Sequence, residues 1–417
     1  MSRRIRPRLA CFTVLLVLSG AARAVDEPLR IETYVDIVLR SNPGARAGRA
    51  LEESGEAERQ SARLLPDPGF GVALGRGRPA DAATGWGAES GLVLSQTLPW
   101  FPARSASIEA ADRAAGARQA EATRTRWNLV SDARVTFYRL QETRALVDVA
   151  RAADEDARSL LALVSRRTEA GEAREVDRIK ARVEWLRQQR DLKAAERDAA
   201  AAEAVLRTLA VEPLPRPLLV QGDMPAPGVA AHVTDEALSQ AIERSPDLVR
   251  ARAEAARSRS LLSFARRSRV PDLGLSLFWN KEIDKDLYGL SFGVTVPLWN
   301  AKRGEIALAT AASSLAEAEA RSAEVRFLTE LQSRRRDLDV AAVQAATLMT
   351  DLGPAAAEAL RIARLLFEEG ETSLLDLLDA QRTAREARRE EIRARFDLAV
   401  ALSELQRLLG PDIPTGR

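Results

Sequence analysis

The sequence is poor in the side chains that carry most chemistry. It has one cysteine and one histidine, and aromatics make up only 5% of its 417 residues. The lone Cys11 excludes a disulfide scaffold. The lone His232 sits in a Pro-rich stretch with no nucleophile–base pair, and no Gly-rich phosphate loop follows a strand. An enzyme is therefore not expected, and neither is a cofactor or a metal site. Beyond residue 24 no apolar run approaches the ~20 residues of a membrane helix. If this chain crosses a membrane, it does so with strands. An excess of charge is missing too: 62 Lys+Arg stand against 60 Asp+Glu. Five of the arginines (Arg3, Arg4, Arg6, Arg8 and Arg23) lie in the first 24 residues, and the remainder carries a net charge of −3. No basic block remains to grip phosphates, so nucleic acid is not an expected partner. What is abundant is alanine, 75 residues, together with Glu, Arg and Leu. That composition means long helices and excludes a β-sandwich.

The N-terminus reads as an address. Arg3 to Arg8 form a basic region, Ala10 to Leu18 an apolar run too short to span a bilayer, and Ala22-Arg23-Ala24 a small-x-small cleavage site. This predicts a secretory signal over residues 1–24, with an N-terminal membrane anchor as the alternative. Cleavage at that site would remove Cys11 and leave a thiol-free chain.

The rest is written twice. The helix-ending Asn42-Pro43 recurs as Ser245-Pro246, and Leu65-Pro66-Asp67 as Val270-Pro271-Asp272. Likewise Leu98-Pro99 recurs as Val296-Pro297, and Gly171-Glu172…Asp177 as Gly370-Glu371…Asp376. The offsets are 203, 205, 198 and 199 residues, in one order. This divides the chain into a first repeat (25–211), a linker (212–232), a second repeat (233–410) and a short tail (411–417). In each repeat a helix runs to the Pro-Asp, two strand-like segments follow, then a very long helix reaches a Gly and another returns.

The strand segments are expected at 69–75 and 89–98, and at 272–281 and 287–296. Phe70, Val72 and Leu74 alternate with Gly71, Ala73 and Gly75. Leu273, Leu275 and Leu277 alternate with Gly274, Ser276 and Phe278, and Leu290, Phe292 and Val294 with Ser291, Gly293 and Thr295. In the second segment, Leu92, Leu94 and Thr97 interleave less cleanly with Val93, Ser95 and Gln96. Such alternation fits a membrane barrel strand or an ordinary soluble hairpin. Aromatic placement favours the membrane. Of 19 aromatics (6 Trp, 3 Tyr, 10 Phe), nine fall within 69–101 and 272–299, the strand pairs with their flanks, among them Trp86, Trp100, Phe101, Trp279, Tyr288 and Trp299. These six are the candidate membrane-interface aromatics, with membrane lipid as their partner.

The long helices are expected over about 104–168 and 302–367, each roughly 95 Å in length. Pro354 alone interrupts them and predicts a local distortion. No compact domain holds such helices. Four strands, meanwhile, leave open edges that hydrocarbon does not tolerate. Several chains must then share one barrel: two would give eight strands and three would give twelve. Small Gly, Ser, Ala and Thr on one face suit a hollow bore, and a trimer is the economical solution.

Taken together, the Ser/Asn-Pro helix ends, the Pro-Asp strand starts and the two Gly-x5-Asp turns resemble the outer membrane efflux family of TolC-like channel-tunnels, over about residues 30–410. The resemblance implies a mainly α fold with a small β part: a helical tunnel in the periplasm and four membrane strands per chain, closed as a 12-stranded barrel in a homotrimer. It implies passive efflux through the outer membrane, with an adaptor protein and an inner membrane pump as partners. It places Gly171 and Gly370 in the tight turns at the periplasmic tips, with Phe367 and Thr372 beside them, where the adaptor is met. It places Asp177, Asp376 and Asp379 near the aperture. The family's Tyr/Arg lock has no match here, since those positions hold Phe367 and Thr372. A Lys180–Asp379 or an Arg178–Asp376 pair is the expected substitute; the alternative is that these Asp simply cap helices. The short length points to the heavy-metal branch (cobalt–zinc–cadmium or copper), although no His- or Met-rich tract accompanies it. A periplasmic adaptor or coiled-coil scaffold is the competing function.

Overall fold

The computed structural model describes residues 28–78, 85–233, 235–295 and 301–411. The expected signal segment, Trp299 and most of the C-terminal tail lie outside the described residues. The first repeat holds α1 (Ile31–Ser41), α2 (Pro43–Arg63), β1 (Gly69–Gly77), β2 (Gly87–Leu98), α3 (Phe101–Glu169) and α4 (Glu175–Ala210). The second repeats this order with α5 (Asp235–Arg244), α6 (Pro246–Arg267), β3 (Leu273–Lys281), β4 (Asp286–Val294), α7 (Arg303–Thr347), a π-turn (Leu348–Leu352), α8 (Gly353–Glu368) and α9 (Leu374–Leu409).

The Pro-marked helix ends act as expected. Asn42 ends α1, its side chain accepts from the Gly44 N–H to cap α2, and Pro43 occupies the first turn, where its missing N–H costs nothing. The same side chain donates to the Leu209 carbonyl at 3.0 Å, tying this corner to the end of α4.

With 69 residues, α3 is about 100 Å long. Its buried face is largely alanine, including Ala106, Ala110, Ala114, Ala117 and Ala120. Small side chains let neighbouring helices approach closely. On α2, a Cβ added at Gly55 would lie 3.2 Å from the Ala115 Cα, so α2 and α3 nearly touch there. Larger apolar side chains gather in two equivalent cores. Tyr34, Val38, Phe137, Leu140 and Leu206 fill the first. Leu248, Phe327, Leu338, Leu398 and Leu405 fill the second. The linker is no loose tether: Leu214 and Leu218 are buried in the first core, and Leu29 bridges to Val220. A third cluster joins the hairpin tips.

Pro354 distorts its helix as its chemistry requires. Proline has no N–H and collides with the carbonyl four residues back. The turn before it widens to π geometry over Leu348–Leu352, and α8 restarts at Gly353.

The strands form one antiparallel sheet in the order β1-β2-β3-β4. The two repeats meet at the β2–β3 pair, which leaves β1 and β4 as edges.

Candidate functional site: the sheet faces and the helix tips

The register sorts the strand residues into two unlike faces. On one face the rows across the sheet read Leu98–Leu273–Val294, then Gln96–Leu275–Phe292, Phe70–Leu94–Leu277–Leu290 and Val72–Leu92–Trp279–Tyr288. Gln96 is the one polar side chain in these four rows. Most of the others are exposed within the single chain, Phe70 by 70% and Tyr288 by 72%. On the opposite face the rows read Thr97–Gly274–Gly293, Gly69–Ser95–Ser276–Ser291, Gly71–Val93–Phe278–Gly289 and Ala73–Gly91–Asn280–Leu287. The ladder corrects one expectation. Thr97 shares a face with Val93 and Ser95, and Gln96 with Leu92 and Leu94. Polarity misassigned that pair because both residues are polar and adjacent.

The described candidate interface aromatics fall at the two ends of the sheet, while Phe70 and Phe292 lie in the middle rows of its apolar face. Trp279 pairs with Tyr288 near the hairpin turns, and exposed Trp86 directly precedes β2. At the other end, Trp100 and Phe101 sit where β2 passes into α3, both exposed. The Trp100 N–H donates to Asp272 Oδ1 at 2.8 Å, so the Pro-Asp motif of the second repeat holds the strand end of the first.

At the far end of the helices, the two tips are built alike on one side of each turn. Gly171 and Gly370 have φ of 79° and 80°, a region costly for any residue with a Cβ. The Glu172 N–H donates to the Arg167 carbonyl and the Gly171 N–H to Thr168, and the same two bonds recur from Glu371 to Leu366 and from Gly370 to Phe367. This is the Schellman arrangement, which satisfies the last carbonyls of a helix.

On the other side of the turn the tips differ. Ser373 caps α9, and Asp376 returns the bond in a capping box. The Asp376 carboxylate accepts from Ser373 Oγ at 2.6 Å, Thr372 Oγ1 at 3.0 Å and the Ser373 N–H at 3.2 Å. These bonds, from the Ser373 hydroxyl first and Thr372 next, hold its pKa below the usual carboxylate range. The equivalent Asp177 pairs with Arg174 at 3.0 Å, while Arg178 pairs with Glu175. Within one chain, then, Asp376 is committed to its cap and makes no pair with Arg178. Lys180 and Asp379 are exposed, and neither forms an ion pair with another described residue.

Phe367 is buried, packed with Leu160, Val164, Ala181, Leu374 and Leu377 between the two hairpins. Arg167 stacks on its ring at 5.3 Å and donates to the carbonyls of Phe367 (3.3 Å) and Glu368 (3.1 Å), capping α8 from the neighbouring hairpin. Sequence reasoning missed Arg167, and it missed the Arg385–Glu184 pair (2.8 Å), which links α9 to α4 with both side chains about five-sixths buried (17% and 15% exposed). The charged run Arg385–Glu391, readable as a solvated face or as inter-helical pairs, was the signal for the second, without naming Glu184 as the partner.

Comparison with known proteins agrees with this geometry. The sequence profile of the family described as "Outer membrane efflux protein" matches residues 35–210 and 237–411. The chain is 26% identical over 390 residues to the cobalt-zinc-cadmium resistance protein CzcC of Cupriavidus metallidurans, covering 93% of this chain and 91% of that one. It is 25% identical over 394 residues to the pyoverdine export outer membrane protein OpmQ of Pseudomonas putida, covering 88% and 82%. In fold it is similar to the open MtrE outer membrane channel of Neisseria gonorrhoeae, with a TM-score of 0.76 at 18% identity over 91% of this chain and 89% of that one. The adaptor or scaffold alternative is thereby set aside. A two-faced sheet, paired helical hairpins about 100 Å long and a profile match across both halves identify the chain as a member of the outer membrane efflux protein family, a channel-tunnel with its sheet in the outer membrane and its helices in the periplasm.

Proposed function

We propose that three copies of this chain close their sheets into one 12-stranded barrel and serve as the exit duct of a tripartite efflux system. The carrying observation is the four-stranded sheet, with one apolar face, one small-residue face and two unpaired edges. In hydrocarbon every edge N–H and C=O must find a partner, and β4 of one chain beside β1 of the next supplies it. Nine-residue strands tilted by ~40° span roughly 23 Å, the height of an outer-membrane apolar band. The apolar rows then face lipid, and the rows of Gly, Ser, Ala and Thr face the lumen. The helices carry matching evidence. One face of α4 leaves Val176, Ile179, Val183 and Leu186 exposed by 42–54%, at the 3-4-3 spacing of a coiled-coil seam. That seam fits a neighbouring chain's helices. The tips around Gly171, Gly370 and Thr372 are the surface we assign to the adaptor, and an inner membrane pump supplies the energy.

Lys180 and Asp379 are the aperture charges in this reading, with Asp177 and Asp376 bracing the turns behind them. Replacing Asp379 and Lys180 by Ala should raise the conductance and alter the cation preference of the reconstituted channel. Unchanged values would remove them from the aperture.

Similarity to CzcC favours metal cations as the exported class. A deletion strain challenged with Co, Zn and Cd, and separately with organic toxicants and siderophores, tests this: metal sensitivity alone supports it, and sensitivity only to organic compounds replaces it with an OpmQ-like role. A trimer band in the outer membrane fraction that dissociates on heating tests the assembly, and a monomer there would overturn it.

A further inference from the structure

The small-residue face is interrupted near its outer end. Four rows are built from Gly, Ser, Ala, Thr and Asn, except that Val93 and Phe278 share one row and Leu287 lies in the next. These three are the large apolar side chains on that face. Each of the two residues in the shared row has a glycine directly across the ladder: Gly71 opposite Val93, and Gly289 opposite Phe278. Those glycines are receptacles. A Cβ at Gly289 would lie 2.5 Å from the Phe278 Cζ, and one at Gly71 would lie 2.7 Å from a Val93 methyl. The phenyl ring therefore reaches across to Gly289 and fills the space that a side chain there would take. Glycine is a weak strand former, and covering it with an aromatic from the neighbouring strand offsets that weakness.

We propose that Val93, Phe278 and Leu287 form an apolar collar near the outer mouth of the lumen, and that Gly289 sets its bore by letting the Phe278 ring lie against the wall. The inference rests on the barrel assembly proposed above. Twelve strands at ~4.8 Å spacing and ~40° tilt make a backbone cylinder roughly 24 Å across. Three chains place nine apolar side chains around two adjacent levels of it. An exported solute leaves polar walls there and meets a band with nothing to hydrogen-bond. Such a band favours solutes with an apolar or aromatic face, which can lie against it, and leaves hydrated cations to the water that fills the open centre of so wide a bore. With Phe278 seated over Gly289 the band stays wide. With a side chain at position 289 the three rings must rise into the bore.

The test uses the full-length protein in intact cells, with Cys11→Ser removing the one native thiol. Ser276→Cys lies on the same face, one row deeper than the collar, and maleimides of graded size are applied from outside. The collar predicts that Phe278→Ala speeds labelling of position 276 by bulky maleimides several-fold, while Gly289→Val and Phe278→Trp each slow it several-fold. The double variant Phe278→Ala/Gly289→Val should label like Phe278→Ala, because the valine acts through the ring. Between maleimides of equal size, a faster rate for an apolar-tailed one than for a charged one should vanish in Phe278→Ser. Bulky-reagent rates that ignore positions 278 and 289 overturn the collar. Failure of the underlying barrel looks different: a compact maleimide would then label Leu277→Cys and spare Ser276→Cys. A heat-dissociable trimer band for each variant ensures that slow labelling reads the bore and not misfolding.

Discussion

In the first repeat one uninterrupted helix runs from the sheet to the tip, whereas in the second the same path is broken by a π-turn. The difference accounts for a small discrepancy in the sequence. Before the turn, equivalent core positions are 198 residues apart: Leu129 and Phe327, Ala133 and Leu331, Leu140 and Leu338 are all buried. Beyond it the offset is 199: Leu161 and Leu360 both flank the tip cluster, and Gly171 and Gly370 make the turns. The second repeat carries one extra residue, and a turn closed i→i+5 holds one more residue than a turn closed i→i+4. The surplus is absorbed over Leu348–Leu352, and both ends of the hairpin keep their faces. A straight α-helix would have rotated everything beyond the insertion by about 100°.

The sharpest way to break this comparison is deletion. Removing Thr350 together with Pro354→Ala should heal α7 into α8 and leave the proposed trimer at least as heat-resistant as wild type. Removing one residue from α3, such as Asp154, should abolish assembly, because nothing there can take up the slip. Heat-modifiable gel mobility reads both outcomes. If the first deletion is as damaging as the second, the insertion account is wrong.

Next in size are the paired cores. Leu206 and Leu405 are both fully buried at equivalent positions, 199 apart. Leu206→Ala and Leu405→Ala should each cost about 3 kcal/mol in denaturant unfolding of the detergent-solubilised protein. A loss confined to one would show that the halves are not energetically equivalent.

The tips should separate more mildly. Ser373→Ala removes a side-chain cap and should cost about 1 kcal/mol, read as faster amide exchange over the first turn of α9. Arg174→Ala removes no such cap, because the Arg174 side chain makes no capping bond to α4, and should leave exchange there nearly unchanged.

The smallest effect is acid. The folded Asp376 carboxyl sits below its ordinary range, so its contribution is full at neutral pH and is lost as pH falls through the folded value. Exchange at the α9 start should quicken only below about pH 4, and Asp376→Ala should abolish that acid-dependent step.

How much was legible in advance follows from where each feature is encoded. The repeat, the strands, the glycine turns and the Pro354 distortion are local patterns, and each appears within a few residues of its expected place. Even the π-turn left a trace, in offsets of 198 and 199 that differ by one. The tip stayed open where the answer depends on what lies across a helix boundary. Asp376 reads either as an aperture acid or as a helix cap until Ser373 and Thr372 are seen to bind it. Phe367 reads as an exposed contact until the other hairpin packs onto it. Arg167, one of many arginines on a helix, gains its role only because the α8 carbonyls end beside it.

The π-turn also has a consequence for length. Sheet and tip are held at opposite ends of rods about 100 Å long, and two rods of unequal reach side by side would shear either the sheet or the tips. A turn that takes in a residue while adding almost no rise keeps both rods cut to one gauge. The duplicated hairpins are thus a pair of matched rulers between sheet and tip, and Leu348–Leu352 is the vernier that keeps them equal.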